Sequence, residues 1–371
     1  MPPRAIVLCV DQLSRRCLGC YGHEWIETPN LDRFASRGVI FDQCFASPMP
    51  ESALHDAAAG LCERLRGDGV IVERLREGAA SDSDEISDTS FSIFVAEAEG
   101  ALTKLSRDSA TPWLLWLESS GVAWPGVATS QFVELYADEL DDDEVPDELV
   151  AVREIEVAYA ALLTQFDHLL GGLLGTIERL FGGASPLIVL VAAHGEGVCE
   201  AEMLSPFANR SAELTADPGS FRDELVHVPL LIAGATRESL GSRRLELVTP
   251  TDVVETLSDW FGESAERVAA SDAVSLLPLL RNEECSWRSE LFLHDDEGDA
   301  AVRTERFLFV QPDAAARLAF ALSADEIAND ATGWLFLKPE DVWEVNDIGE
   351  QHPDQVATLR AALRRWLRPV S

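Results

Sequence analysis

Four long apolar runs, separated by stretches of helical spacing, constrain this chain more than any other feature. They cover residues 5–10 (AIVLCV), 112–118 (PWLLWLE), 186–191 (PLIVLV) and 226–233 (VHVPLLIA). A strand that is apolar nearly throughout, rather than at alternate positions, is buried on both faces. Segments 28–37, 48–60, 91–106, 149–181 and 249–261 carry helical periodicity, with Gly38, Gly60 and Gly182-Gly183 as stops. Residues 39–45 read as a further strand, and 62–77 as strand-and-helix material around Val70-Ile71-Val72. Alternation of this kind predicts an α/β fold, a mostly parallel sheet covered by helices on both faces.

The pattern changes near residue 286. Residues 290–294 and 302–311 read as antiparallel strands around an acidic turn, 334–337 as a third strand, and 352–367 as a closing amphipathic helix. The expected organisation is an α/β domain over 1–285 and a small C-terminal α+β subdomain over 286–371.

With 371 residues and 47% apolar content the chain can bury a large core. Its net charge of −36 argues against nucleic-acid or anionic-membrane binding and opposes a polyanionic substrate unless arginines cluster locally. Lys104 and Lys338 are the only lysines. Seven cysteines without regular spacing do not suggest a disulfide framework; Cys17-x-x-Cys20 has redox or metal spacing but lacks a second pair, and reads more simply as buried thiols. There is no leader-like segment and no apolar run near the ~18 residues of a membrane span, so a cytoplasmic protein is expected.

Ligands of open α/β sheets collect at the carboxyl ends of strands. Asp11 closes the first run, Ser119 opens the loop after the second, and His194-Gly195-Glu196 follow the third. The helix predicted from Pro48 points its positive end toward Asp11, where an anion would be met. Ser47 lies beside that helix start, as a cap or as a hydroxyl nucleophile. His227 stands just before the fourth run, as a structural histidine or as a general acid.

Several segments, in order, match one family. Asp11 falls on its first acidic position and Thr28-Pro29-Asn30-Leu31-Asp32 on its TPNLD. Tyr159, Asp167 and Gly171 lie on its long helix, and His194-Gly195-Glu196 on the tail of DHGE. Asp223-Glu224 precede Val228-Pro229-Leu230, SLLPLL spans 275–280, Ala301-Val302-Arg303-Thr304 reads AVRT, and Trp343-Glu344-Val345-Asn346-Asp347 precedes Pro353-Asp354. Over nearly its whole length the chain resembles the sulfatase family of the alkaline-phosphatase-like superfamily. The resemblance implies that fold, a formylglycine nucleophile within C/S-x-P-x-R, a divalent cation held by oxygen ligands, and basic residues around the sulfate.

This chain departs from the pattern at each chemical position. The nucleophile aligns with Pro50, which has no nucleophilic side chain, and the arginine with Leu54. The paired aspartates become Asp11-Gln12, and the aspartate of DHG becomes Ala193. Later histidines align with Ala123 and Ala201, and no lysine lies between Lys104 and Lys338. Asp11, Gln12 and His194 are the residual metal candidates; a calcium ion wants six or more oxygens, so at most a weak divalent cation site is expected. The sequence therefore predicts a catalytically inactive pseudo-sulfatase with a binding, regulatory or scaffolding role, associating with a protein partner or a second copy. The alternative is an active metal-dependent sulfate or phosphate ester hydrolase with a relocated nucleophile such as Ser47, assisted by His227.

Overall fold

The computed structural model describes residues 2–48, 53–79, 83–122, 126–139, 150–182, 185–197, 219–234, 240–263, 272–295, 298–312 and 333–367. Pro50, Ala123 and Ala201 lie outside the described residues.

Seven strands form the main sheet: β1 Arg4–Val10, β2 Gly38–Phe41, β3 Ile71–Arg76, β4 Trp113–Ser119, β5 Leu187–Val191, β6 Leu230–Ala233 and β7 Ser242–Arg244, in the order β3-β4-β1-β5-β6-β2-β7. The pairs β3–β4, β4–β1, β1–β5 and β2–β7 are parallel; β6 alone runs against its neighbours. The three apolar runs predicted as buried parallel strands are the central β4, β1 and β5. The fourth run divides. Residues Asp223–Val226 form a helical turn, His227 makes a single bridge to Phe45, and only Leu230–Ala233 is strand, running antiparallel.

The helices α1 Pro29–Ser36, α2 Ala53–Gly67, α3 Ser90–Leu105, α4 Val150–Phe181 and α5 Asp252–Phe261 cover this sheet. Gly60 does not end α2 as expected. Leu61, Cys62 and Leu65 continue the buried stripe begun by Leu54 and Ala58, and this packing outweighs one glycine's helix cost of about 1 kcal/mol. Strand β2 is shorter than predicted, and Cys44 and Phe45 beyond it make isolated bridges. Part of α4, Arg153–Phe181, is long and apolar enough to cross a membrane by length and composition; 67% of its most apolar window is buried inside the protein, against α1 and α3 among others.

The TPNLD segment is explained by α4. Asp167 Oδ2 accepts from the Asn30 backbone (3.0 Å) and side chain (2.9 Å), and Oδ1 accepts from Leu31 N (2.7 Å). Asp167 thereby caps α1 from a neighbouring helix, a task the local Thr28 side chain does not perform. Gly171, one turn along α4, must lack a side chain, because a Cβ there would lie 2.6 Å from Asn30.

A second, antiparallel sheet has the order β11-β10-β9-β8, with β8 Glu290–His294, β9 Ala300–Thr304, β10 Phe307–Gln311 and β11 Trp334–Leu337. Residues 302–311, read as one strand from sequence, belong to two strands that turn at Glu305-Arg306. That dipeptide lacks the Gly or Asn that marks most tight hairpins. One face of the sheet packs Leu291, Leu293 and Phe336 against Phe45, Phe221 and Val226 of the main body. The other packs Val302, Phe309 and Leu335 against Leu359 and Leu363 of the closing helix α6, Pro353–Trp366.

Candidate active site

Asp11 stands at the carboxyl end of β1, its backbone N–H donating to Ser119 O at the end of β4 (2.9 Å). Side chains two apart on a strand share a face, and the β1–β4 register sets Cys9 beside Glu118, so Cys9, Asp11 and Glu118 gather below α2. The first turn of α2 lowers His55 between the two carboxylates. Its Nε2 is 3.3 Å from Asp11 Oδ1 and its Nδ1 3.4 Å from Glu118 Oε1. The pull of the Asp11 and then the Glu118 carboxylate outweighs burial and raises the imidazole to about 9, so it carries charge at neutral pH.

Glu118 is the most constrained member. Trp116 Nε1 donates to it at 3.1 Å, Arg74 Nε at 2.9 Å and Arg76 Nε at 3.0 Å, and the Arg74 Nη2 also contacts it. Burial works against its ionised form, but the bonds from His55 and Arg74 prevail and bring the carboxyl down to about 2. Burial, then Asp11, pushes the Cys9 thiol well up. Glu77 closes this end of the sheet by accepting from Ser119 Oγ (2.7 Å) and Ser120 N (3.0 Å).

A cleft of about 380 Å³ lies alongside, lined by Ser47, Leu54 and Ala193 from the main body and by Phe292, His294 and Trp366 from the C-terminal region. Ser47 Oγ donates to the His294 carbonyl at 2.9 Å. Leu54 is buried in α2, at 3% exposure.

The other expected residues sit apart from this arrangement in function. His194 turns its Nδ1 to its own neighbour's carbonyl, Gly195 O, at 3.1 Å. Gln12 has a left-handed backbone (φ 59°), and its carbonyl accepts from Tyr159 Oη at 2.9 Å. His227 Nε2 donates to Asp42 O at 2.7 Å, and its ring stacks on Phe45 at 4.3 Å. Burial, then Arg15, lowers it to about 4, so it is neutral at pH 7. Among the described residues, one group of three His, Cys, Asp or Glu side chains brings its ligand atoms within 4.8 Å of one another: Cys9, Asp11 and His55. His194 is not in it. Sequence reasoning found Asp11 and missed the other two, together with Glu118. The available signals were the i, i+2 spacing of Cys9 and Asp11 on a buried strand and the acid that closes PWLLWLE.

No family model matches the chain. It is 43% identical over 68 residues to an arylsulfatase of Clostridium perfringens. A solved structure of a protein in complex with its substrate D-glucosamine-2-N,6-O-disulfate superimposes over 98% of this chain and 97% of the other, with a TM-score of 0.74 at 15% identity. The chain has the fold of sulfatases and a short stretch similar in sequence to one of them. The fold extends to a phosphonate monoester hydrolase of Agrobacterium radiobacter, with a TM-score of 0.67 at 16% identity over 98% of this chain and 96% of that one. The sequence match to the arylsulfatase covers only 18% of this chain and 14% of that relative.

The cation implied by the sulfatase family is a fit question for the residues present. Asp11 faces an imidazolium, and Ala193 offers no side-chain ligand atom where the resemblance implies an aspartate. These groups do not supply the six or more oxygens of a calcium site.

Proposed function

We propose that this sulfatase-like chain does not hydrolyse sulfate esters by the covalent route, and that it works by binding, as a regulatory or scaffolding protein. The observation that carries this reading is the placement of His55. A protein cation stands between Asp11 and Glu118, where the resemblance implies a metal ion. Arg74 and Arg76, the arginines paired with the cluster, are engaged by Glu118, which leaves them poorly disposed to hold an ester's anion. In sequence, Pro50 removes the nucleophile and Leu54 its arginine partner. Loss of a nucleophile alone costs an enzyme whose groups act as a unit on the order of 10⁶ in rate.

The relocated-nucleophile reading gains little support. Ser47 gives its proton to a backbone carbonyl, and His227 points its Nε2 at Asp42 O. We propose association with a protein partner or a second copy as the productive interaction, in keeping with the C-terminal aromatic residues that wall the cleft. Incubation of the purified chain with aryl sulfate and aryl phosphate, with calcium or manganese, tests the proposal. Turnover at the buffer background is expected; turnover abolished by Asp11→Ala would overturn it.

A further inference from the structure

The cluster at the end of β1 contains, besides the ion pairs of His55 with Asp11 and Glu118, a potential ligand set that includes Cys9. Cys9 Sγ, an Asp11 carboxylate oxygen and a His55 ring nitrogen lie within 4.8 Å of one another. A thiol, a carboxylate and an imidazole together suit a borderline-soft ion and not a hard one. We propose that Cys9, Asp11 and His55 form a zinc-class metal site, with its fourth position open to solvent.

The geometry is close to what such a site needs. Bonds of about 2.0–2.3 Å place the ligand atoms of a tetrahedral zinc about 3–4 Å apart. His55 Nε2 and Asp11 Oδ1 already stand at 3.3 Å. The remaining pairs lie within 4.8 Å, so loading draws these side chains together by at most about 1–2 Å. Access is graded in the right order: Asp11 is 31% exposed at the side chain, His55 14%, and Cys9 lies beneath them, fully buried.

A second observation concerns the far side of the imidazole. His55 Nδ1 is buried without an aligned hydrogen-bond partner, yet Glu118 Oε1 stands 3.4 Å away. In metal-bound histidines the nitrogen remote from the metal is commonly held by a carboxylate, which fixes the tautomer and the ring plane. Glu118 is itself fixed by Trp116, Arg74 and Arg76. Nε2 is therefore the ligating atom, and Nδ1–H turns to Glu118. On loading, the Nε2 proton of the imidazolium and the Cys9 thiol proton leave to solvent, and the thiolate, carboxylate and neutral imidazole bind the ion. The divalent charge is then balanced by one thiolate and one carboxylate. This site shares only Asp11 with the all-oxygen set that the resemblance implies, and it stands whether or not the chain hydrolyses esters.

Cobalt(II) titration of the purified chain tests the proposal. The expected result is one tightly bound equivalent, with a near-ultraviolet thiolate-to-cobalt band and visible bands of a four-coordinate ion, displaced by zinc and untouched by millimolar calcium. Cys9→Ala should abolish the ultraviolet band, while Cys285→Ala, at an exposed thiol, should leave it intact. Glu118→Gln should weaken binding by about 10- to 100-fold. His55→Gln, at a partly exposed helix position, should remove tight binding without unfolding the chain, and decides the matter if Cys9→Ala fails to fold. Absence of the band in the parent chain, or a band that survives His55→Gln, would overturn the site. Neither result bears on ester turnover, so the two proposals fail separately.

Discussion

The Asp11–His55–Glu118 cluster and the Lys338–Asp223–Glu344 cluster are both cations held between carboxylates, and they differ in where the cation sits. His55 lies at the partly open end of the main sheet. Lys338, just after β11, is fully buried where the second sheet meets the main body; its Nζ donates to Asp223 Oδ2 (3.1 Å), to the Asp341 carbonyl (2.8 Å) and to Glu344. Nearby, Arg16 reaches Glu224 and the Val342 carbonyl and lies over Trp343 at 4.1 Å, adding ties across the same junction. The buried cluster acts as a fastener between sheets. The other cluster is the more open one, with the His55 side chain 14% and the Asp11 side chain 31% exposed.

Substitutions should break the comparison in that order. Lys338→Met leaves Asp223 and Glu344 buried without their cation and should cost about 3–5 kcal/mol, read as a lowered midpoint in urea or guanidinium denaturation. Asp167→Ala strips acceptors from the Asn30 and Leu31 N–H groups at the start of α1 and should cost about 2 kcal/mol by the same measurement. At the small end, Arg37→Ala removes a pair whose side chains are 58% and 66% exposed, and the midpoint should move by no more than about 0.5 kcal/mol.

Acidity sharpens the contrast, because the two cations shift in opposite directions. His55 is raised to about 9 in the folded chain, against about 6.5 unfolded, so the folded state holds the extra proton between those values. Its stabilisation is complete below about pH 6.5 and is lost as pH rises through 9. Burial, against the pull of Asp223, lowers Lys338 to about 8, so the unfolded state holds the extra proton above that value. The Lys338 contribution to stability therefore rises with pH where that of His55 falls. In thermal denaturation, the advantage of the parent chain over His55→Gln should shrink between pH 7 and 10; an advantage that stays constant would contradict the assignment of a charged His55.

Much of this architecture is legible in the sequence, for identifiable reasons. Continuous apolar runs revealed β1, β4 and β5, because strands buried on both faces cannot hide their composition. The TPNLD, Asp167 and Gly171 signature proved to be scaffold: its side chains cap and pack α1 against α4, and so report the fold and not the chemistry. The antiparallel direction of β6 was hidden, since an apolar run carries no sign of its direction. The Glu305-Arg306 turn was hidden because its residues lack turn chemistry. His55 escaped notice for a different cause. Its partners Asp11 and Glu118 come from two strands distant in sequence, and only the β1–β4 register makes them neighbours.

The central claim is that a protonated His55 holds the place beside Asp11. Its most direct test is the imidazole titration of His55, followed by NMR in the metal-free chain and again with millimolar calcium. The account predicts a midpoint near 9 that falls toward 6.5 in Asp11→Asn and that calcium leaves in place. A midpoint near 6.5 in the parent chain, displaced by calcium, would contradict it.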